Sequence, residues 1–484
     1  MNTFLNALNN NGLVETENGG LTRTTTDSAV LDMFGIGGAY RNRSEEDIIL
    51  LFKEAYKENP SLAMKCLFYL RDIRGGQGER RFFRVAFHWL CLAHPAVALK
   101  NLNNVAEFGR WDDLIYAAEK TSCEDAAFAI IKQQFYLDLT SKTPSLLGKW
   151  LPSQNAHNEE TKRLGYKIAD YLHLTPREYR KSLSALREKI KVLEKLMSAG
   201  RWDEIEFDKI PSRAGMIYRN AFARRDVLAE KYATFAKDST TAVNASVLYP
   251  QEVAHKAFSC YLNYDNPNRL MLQKYWENLK DFYNGRQENG IAIVDVSGSM
   301  LGTPLEAAVG LGAYIAERGH GPFANHFITF SRFPKLVKFE GVDIVDKMRR
   351  CQGADWGMNT DISAVFDLLL KTAKKQSVKP EDMPTRLYIF SDMEFDEAFE
   401  ETEDDLNTDL EKIKRKWKMQ GYTMPQVIFW NLDARHNHIP AIGDGFSYVS
   451  GFSSSMIDCI LSGKDGYDLM LEKLLSERYR RVVA

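Results

Sequence analysis

Before residue 285, apolar residues recur through most of the chain at three- and four-residue spacing, the period of helices that bury one face. Ser44-Glu-Glu-Asp47 has the form of an N-cap ahead of a helix whose apolar residues include Ile48, Leu51, Phe52 and Tyr56. Further helices are predicted near 60–72, 79–94, 96–106, 112–120, 124–139, 160–173, 176–198, 215–236, 251–259 and 268–284. Almost nothing in this stretch alternates as a strand would. Beyond 289 the pattern changes. Short apolar runs at 290–295, 325–330, 386–391, 425–430 and 446–450, with an edge piece at 335–339, alternate with helical stretches at 304–318, 361–374, 405–419 and 465–478. Such alternation predicts a parallel sheet with helices on both faces. The chain therefore reads as multidomain. A flexible arm over 1–43, rich in Asn, Thr and Gly (Asn-Asn-Asn-Gly at 9–12), leads into an all-α domain over 44–286 and a Rossmann-like α/β domain over 287–484.

Within the helical part, Gly109-Arg-Trp-Asp112 recurs as Gly200-Arg-Trp-Asp203. The local reading is a helix stop at Gly and a new N-cap at Asp. Paired helices stacked into a solenoid would also produce such corners.

With 484 residues, 44% hydrophobic and 26% charged, the chain has the make-up of an ordinary globular protein. No apolar run reaches the length that spans a bilayer, and the N-terminus lacks a signal peptide's apolar stretch. The six cysteines are scattered without a Cys-x-x-Cys pair, so a cytoplasmic setting without disulfides is expected. The net charge of −2 hides an asymmetry. Residues 51–237 hold 32 Lys+Arg against 23 Asp+Glu, whereas 291–484 hold 23 against 29. Separate domains with separate partners follow as an expectation.

The chemistry concentrates at Ile291-Ala-Ile-Val-Asp295-Val-Ser297-Gly-Ser299, a buried strand that ends in Asp-x-Ser-x-Ser. A parallel strand delivers its last residue to the carboxyl edge of the sheet, where ligands bind. One carboxylate and two hydroxyls suit a hard divalent cation, Mg2+ or else Mn2+ or Ca2+. Two later residues fall on matching positions: Thr360 in Asn359-Thr360-Asp361 ahead of a helix, and Asp392 after the strand 386–391. The bland alternative is a vestigial motif whose hydroxyls cap the next helix. Asp295, Ser297, Ser299, Thr360 and Asp392 together resemble the metal-ion-dependent adhesion site of von Willebrand factor A domains. That resemblance implies a cation that serves binding and leaves one position open to a partner's carboxylate.

The densest basic stretch is Tyr69-Leu-Arg71-Asp-Ile-Arg74-Gly-Gly-Gln-Gly-Glu-Arg80-Arg81-Phe-Phe-Arg84. Glycines that free backbone N–H groups, flanked by Arg71, Arg74, Arg80, Arg81 and Arg84, suit phosphate recognition. No Gly-Lys-Ser/Thr follows, which excludes a nucleotide-hydrolysing P-loop. The competing account is a helix–loop–helix corner whose arginines pair with Asp72, Glu79 or solvent. The segment, followed by an A-type domain, is similar to TROVE-domain proteins, the Ro autoantigen family. It is closer still to a related family known only as a domain of unknown function, through Lys149-Trp-Leu-Pro-Ser153, Tyr218-Arg-Asn-Ala-Phe222 and Ser391-Asp-Met-Glu-Phe-Asp396. The likeness covers roughly residues 30–480. It implies a HEAT-like helical ring closed by the A domain, and binding of small noncoding or misfolded, single-stranded RNA by a monomer.

Other clusters add less. Lys412, Lys414, Arg415, Lys416 and Lys418 follow the acidic run Glu400–Asp405 and fit helix pairing. The nine histidines form no nucleophile or metal signature; His436-x-His438 is the one close pair, in a loop with Asp433, and a second metal there is the minor alternative. No nucleophile motif is present, so a nonenzymatic protein is expected. The alternative to RNA binding is an interaction scaffold that grips an acidic residue of a protein partner through the cation.

Overall fold

The computed structural model describes residues 13–245, 247–330, 334–352, 360–396, 408–464 and 466–484. Asn9–Gly12, Asn359 and the acidic run Glu400–Asp405 lie outside the described residues. The chain is helix-rich in its N-terminal part and carries a mixed sheet in its C-terminal part. Among the described residues no helix is long and apolar enough to cross a membrane. None of the six cysteines is in a disulfide. The chain divides into two compact units, residues 67–244 with 477–484, and residues 1–66 with 245–476.

The first unit is helical. Arg80–Ala93, Pro95–Phe108, Trp111–Ala118 and Glu124–Thr140 follow one another with short corners. Phe68, Phe83 and Phe108 form its aromatic core, with ring centroids 5.3 and 5.4 Å from Phe68. Tyr479, near the C-terminus, stacks on Phe108 at 5.5 Å and donates its hydroxyl to the buried Asp72 at 3.1 Å. Two long helices expected from periodicity are broken. The predicted 176–198 helix stops at Lys189, because Lys191 adopts a left-handed φ of 48° and Val192 N–H closes back on Arg187 C=O, the hydrogen-bond pattern of a Schellman cap. No glycine marks that stop. The predicted 215–236 helix breaks at Arg225, which is extended between Ser212–Arg224 and Asp226–Lys237. The two Gly-Arg-Trp-Asp corners also diverge. At the first, Arg110 is the cap residue and Asp113 accepts its N–H at 2.9 Å, in place of the expected cap at Asp112. The second makes only a short 3₁₀ turn, Trp202–Glu204.

The second unit is built on a six-stranded sheet. A separate two-stranded hairpin precedes it, β1 (Leu13–Glu15) and β2 (Leu21–Arg23). The sheet strands are β3 (Gly290–Asp295), β4 (His326–Phe330), β5 (Leu336–Lys338), β6 (Arg386–Ser391), β7 (Gln426–Asn431) and β8 (Phe446–Ser450). Their order is β5-β4-β3-β6-β7-β8, with only β5 antiparallel to its neighbour. Helix Thr303–Arg318 packs on one face, where a Cβ added to Gly312 would fall 2.5 Å from Val294 Cγ2. From β3 the chain runs outward through β4 and β5, then crosses back to β6 on the other side. The loops after β3 and β6 therefore part at a switch in strand order, the place where open α/β sheets bind ligands.

Residues 13–43, expected as a loose arm, are ordered parts of this unit. Ser44 does cap the helix Glu45–Glu58, accepting Asp47 N–H at 3.1 Å. Ahead of it, Ala29–Ile36 packs on β8, with Gly35 against Tyr448. The β1–β2 turn lies beyond the end of β6: Thr16 Oγ1 donates to Phe395 O at 2.5 Å and Gly20 N–H to the same oxygen at 3.2 Å. Its Thr, Asn and Gly content, which suggests disorder, instead suits a tight turn that satisfies loop carbonyls.

Candidate metal centre at the carboxyl edge of the sheet

Strand β3 ends on Asp295, which has no exposed surface. The next turn is set by Asp295 itself, whose Oδ1 accepts Ser297 N–H at 2.9 Å. This folds Gly298–Met300 into a 3₁₀ turn and leaves Ser297 Oγ and Ser299 Oγ 3.0 Å apart. From the neighbouring strand, the Ser391 hydroxyl donates to Asp295 Oδ2 at 2.6 Å. Asp392 follows, buried, with the Ser299 hydroxyl hydrogen-bonded to its carboxylate. Asp392 Oδ2 also accepts Arg435 at 2.9 Å. Asp295, Ser297, Ser299 and Asp392 thus form one cluster of oxygen donors.

Its electrostatics are those of crowded, buried carboxylates. Burial, then the nearby Asp392 carboxylate, pushes the Asp295 carboxyl up to about 7 against the hydrogen bonds from Ser391 and Ser297. Burial also raises Asp392, against hydrogen bonds and the Arg435 charge. Two carboxylates held together away from water are costly unless a positive charge joins them. An all-oxygen donor set fits a hard divalent ion of the Mg2+ class.

Thr360 is hydrogen-bonded to other groups of the same loops. Its hydroxyl lies 2.8 Å from both Asp396 Oδ1 and Glu394 O and accepts the Asn18 amide at 2.9 Å, while its N–H donates to Asp396 Oδ2 at 3.0 Å. Asp396 and Asn18 therefore hold the oxygen that sequence reasoning gives to the cation. Asn18 comes from the hairpin turn, 342 residues away, and no local pattern announces it. Asp396 could have been found. Asp392, Glu394 and Asp396 alternate in the sequence with the apolar Met393 and Phe395, an acidic run that turns at Met393, whose φ is 69°.

In the helical unit the proposed phosphate cradle is already filled. Gly76 and Gly78 N–H both donate to Asp72 O, Gln77 N–H to Tyr69 O and Glu79 N–H to Leu70 O, at 2.7–3.2 Å. These donors close the end of the preceding helix. Gly76 permits the close approach, since a Cβ there would lie 1.9 Å from Tyr69 O. Gly76→Ala is accordingly expected to lower stability by about 1–3 kcal/mol in chemical denaturation, as overpacked sites do.

Of the five arginines, Arg71 is 2% exposed and pairs with Asp113 at 2.6 Å. Arg84 reaches Asp113 at 2.7 Å and Asp112 at 2.8 Å and lies over the Tyr116 ring. The corner account offered Asp72, Glu79 or solvent; Asp72 and Glu79 instead accept the backbone N–H groups of Arg74 and Arg81, at 2.9 and 3.0 Å. Arg74 is exposed and donates to Glu107 O at 3.0 Å, Arg80 is exposed and Arg81 half-buried. Partial desolvation, then the charges of Arg110 and Arg84, lower the Arg80 guanidinium from its ordinary value although the residue as a whole is exposed.

Comparison with known proteins corrects the two named resemblances. Residues 16–125 and 135–288 match the family described as Domain of unknown function (DUF2828), and residues 289–478 match Domain of unknown function (DUF7788). Neither match is to TROVE-domain proteins or von Willebrand factor A domains, so neither name is carried over. The uncharacterized protein L728 of Acanthamoeba polyphaga mimivirus is 32% identical over 495 residues, covering 93% of this chain and 85% of the relative. By the extent of these matches, the chain belongs to the DUF2828 family and carries a DUF7788 region in its C-terminal part.

Proposed function

We propose that this is a nonenzymatic binding protein that captures an acidic group of a protein partner through a divalent cation at the carboxyl edge of its sheet. Asp295, Ser297 and Ser299 hold the cation on this reading, with Asp392 beside it. Bound there, the cation supplies a Lewis-acidic position for a carboxylate. The observation that carries the proposal is the burial of Asp295 beside Asp392, its hydrogen bonds coming from Ser391 and Ser297. On this reading the helices of residues 80–237 stack in HEAT-like pairs and serve as a second docking surface.

The RNA reading draws on a different observation, the exposed guanidiniums of Arg74 and Arg80 beside the half-buried Arg81. It is the weaker of the two, because the glycine-loop donors and Arg71 and Arg84 are engaged within the protein. One calorimetric series separates the two readings. Mn2+ is titrated into the full chain, then an Asp-containing hexapeptide or a single-stranded oligoribonucleotide. The expected result is saturable Mn2+ binding reversed by EDTA, and peptide binding only when the cation is present. Peptide binding that survives EDTA sinks the proposal. Oligoribonucleotide binding that ignores EDTA and falls steeply with salt would favour the RNA reading.

A further inference from the structure

Beyond Asp392 the same edge gathers three different ligating groups. Glu394 Oε1 lies 2.9 Å from His436 Nδ1 and 3.4 Å from His438 Nε2. The three ligand atoms all lie within 4.8 Å of one another. Glu394 is fully buried and His438 is 6% exposed, whereas the His436 side chain is 48% exposed. Glu394 is oriented through its other oxygen, Oε2, which accepts Glu17 N–H at 2.9 Å.

The histidine pair is held by the residues between and after it. Tyr40 OH donates to Asn437 Oδ1 at 2.5 Å, and Ile439 exchanges two backbone hydrogen bonds with Arg23, at 2.7 and 3.0 Å. In an extended segment alternate side chains face opposite ways. Asn437 and Ile439 fix the segment to its scaffold while His436 and His438 both reach Glu394. The buried His438 ring has no hydrogen-bond partner at Nδ1 among the described residues, so its polar anchorage rests on what Nε2 meets.

We propose that Glu394, His436 and His438 form a second metal site, for a zinc-class cation, distinct from the oxygen site at Asp295. Two imidazole nitrogens and one carboxylate oxygen are the donor set that suits Zn2+ and not Mg2+. The two Glu394–histidine distances agree: zinc bonds of about 2.0–2.1 Å in a tetrahedron put neighbouring ligand atoms about 3.3 Å apart. Two ring nitrogens converging on one carboxylate oxygen, joined by protons, are the metal-free form of such a set. Glu17 Oε1, 3.8 Å from His436 Nδ1, is the candidate fourth ligand. A cation here would tie the β1–β2 turn to the sheet edge.

The test uses the full chain stripped of metal and held in saturating Mg2+, so that the Asp295 site is occupied. Co2+ is then added and visible absorption recorded. The expected result is one equivalent of Co2+ with the intense bands of a tetrahedral ion, displaced by Zn2+ and retained in Asp295→Ala. His436→Gln, at a half-exposed position that leaves the fold intact by circular dichroism, weakens Co2+ at least about tenfold, the lower end of losses seen even for groups behind the ligands. The proposal is overturned if no tetrahedral bands form. It is also overturned if they persist unchanged in both His436→Gln and His438→Gln, or vanish in Asp295→Ala but not in His436→Gln.

Discussion

Asp295→Asn abolishes the stabilisation of the protein by Mg2+ without unfolding it. In the wild type, Mg2+ at one hundred times its dissociation constant should add about 2.7 kcal/mol to stability, because only the folded chain holds the site. The variant should show no such gain. Its behaviour in EDTA is the sharper part of the prediction. Asparagine keeps the shape of Asp295 and still accepts Ser297 N–H, and the Ser391 hydroxyl can turn to accept from the amide. It also removes a charge buried beside Asp392. The metal-free variant should therefore be at least as stable as the metal-free wild type, measured by urea unfolding with and without EDTA. A Mg2+ gain that survives the substitution, or a loss of several kcal/mol in EDTA, would show that Asp295 is an ordinary structural carboxylate.

The largest loss of stability is expected in the other unit. Arg71→Met should cost about 3–5 kcal/mol, the range for a buried pair deprived of one partner. Asp113 has no exposed surface and takes hydrogen bonds from Arg71, Arg84 and the Arg110 backbone. Without Arg71, Asp113 Oδ2 keeps only the Arg110 N–H among the described residues, and Arg84, which also pairs with Asp112, is left to balance Asp113. Adding Asp113→Asn should recover part of the loss, and the non-additivity measures the coupling. Arg80→Ala, at an exposed position, should change stability by no more than about 0.5 kcal/mol. A cost below about 1 kcal/mol for Arg71→Met would refute the structural role assigned to it here.

The two sites differ in how legible they were, and the reason is range. Strands β3 and β6 lie where the apolar runs predict them, at 290–295 and 386–391, so Asp295 and Asp392 arrive at one edge by local pattern alone. Ser297 and Ser299 follow because the turn is made by Asp295 two residues earlier. Thr360 required knowledge of Asn18 and Asp396, and Arg71 and Arg84 required Asp112 and Asp113, 28–42 residues away on the helix Trp111–Ala118. A run of arginines around glycines looks the same whether its partner is phosphate or a distant aspartate. The hairpin was missed for another reason: strands of three residues are too short to show alternation. The stop at Lys191 carries no glycine, so backbone geometry decided it without a sequence mark.

The hydrogen bond from Thr16 to Phe395 joins residues 379 apart, and it bears on the order in which a ribosome delivers this chain. At roughly 5–20 residues per second, the hairpin emerges about 20–80 s before the loop that receives it. Through that interval Thr16, Asn18 and Gly20 have no receptor, and the sheet edge that carries both candidate cation sites does not yet exist. A cation bound at either candidate site would then be loaded only after translation has passed Asp392, for the first, or His438, for the second.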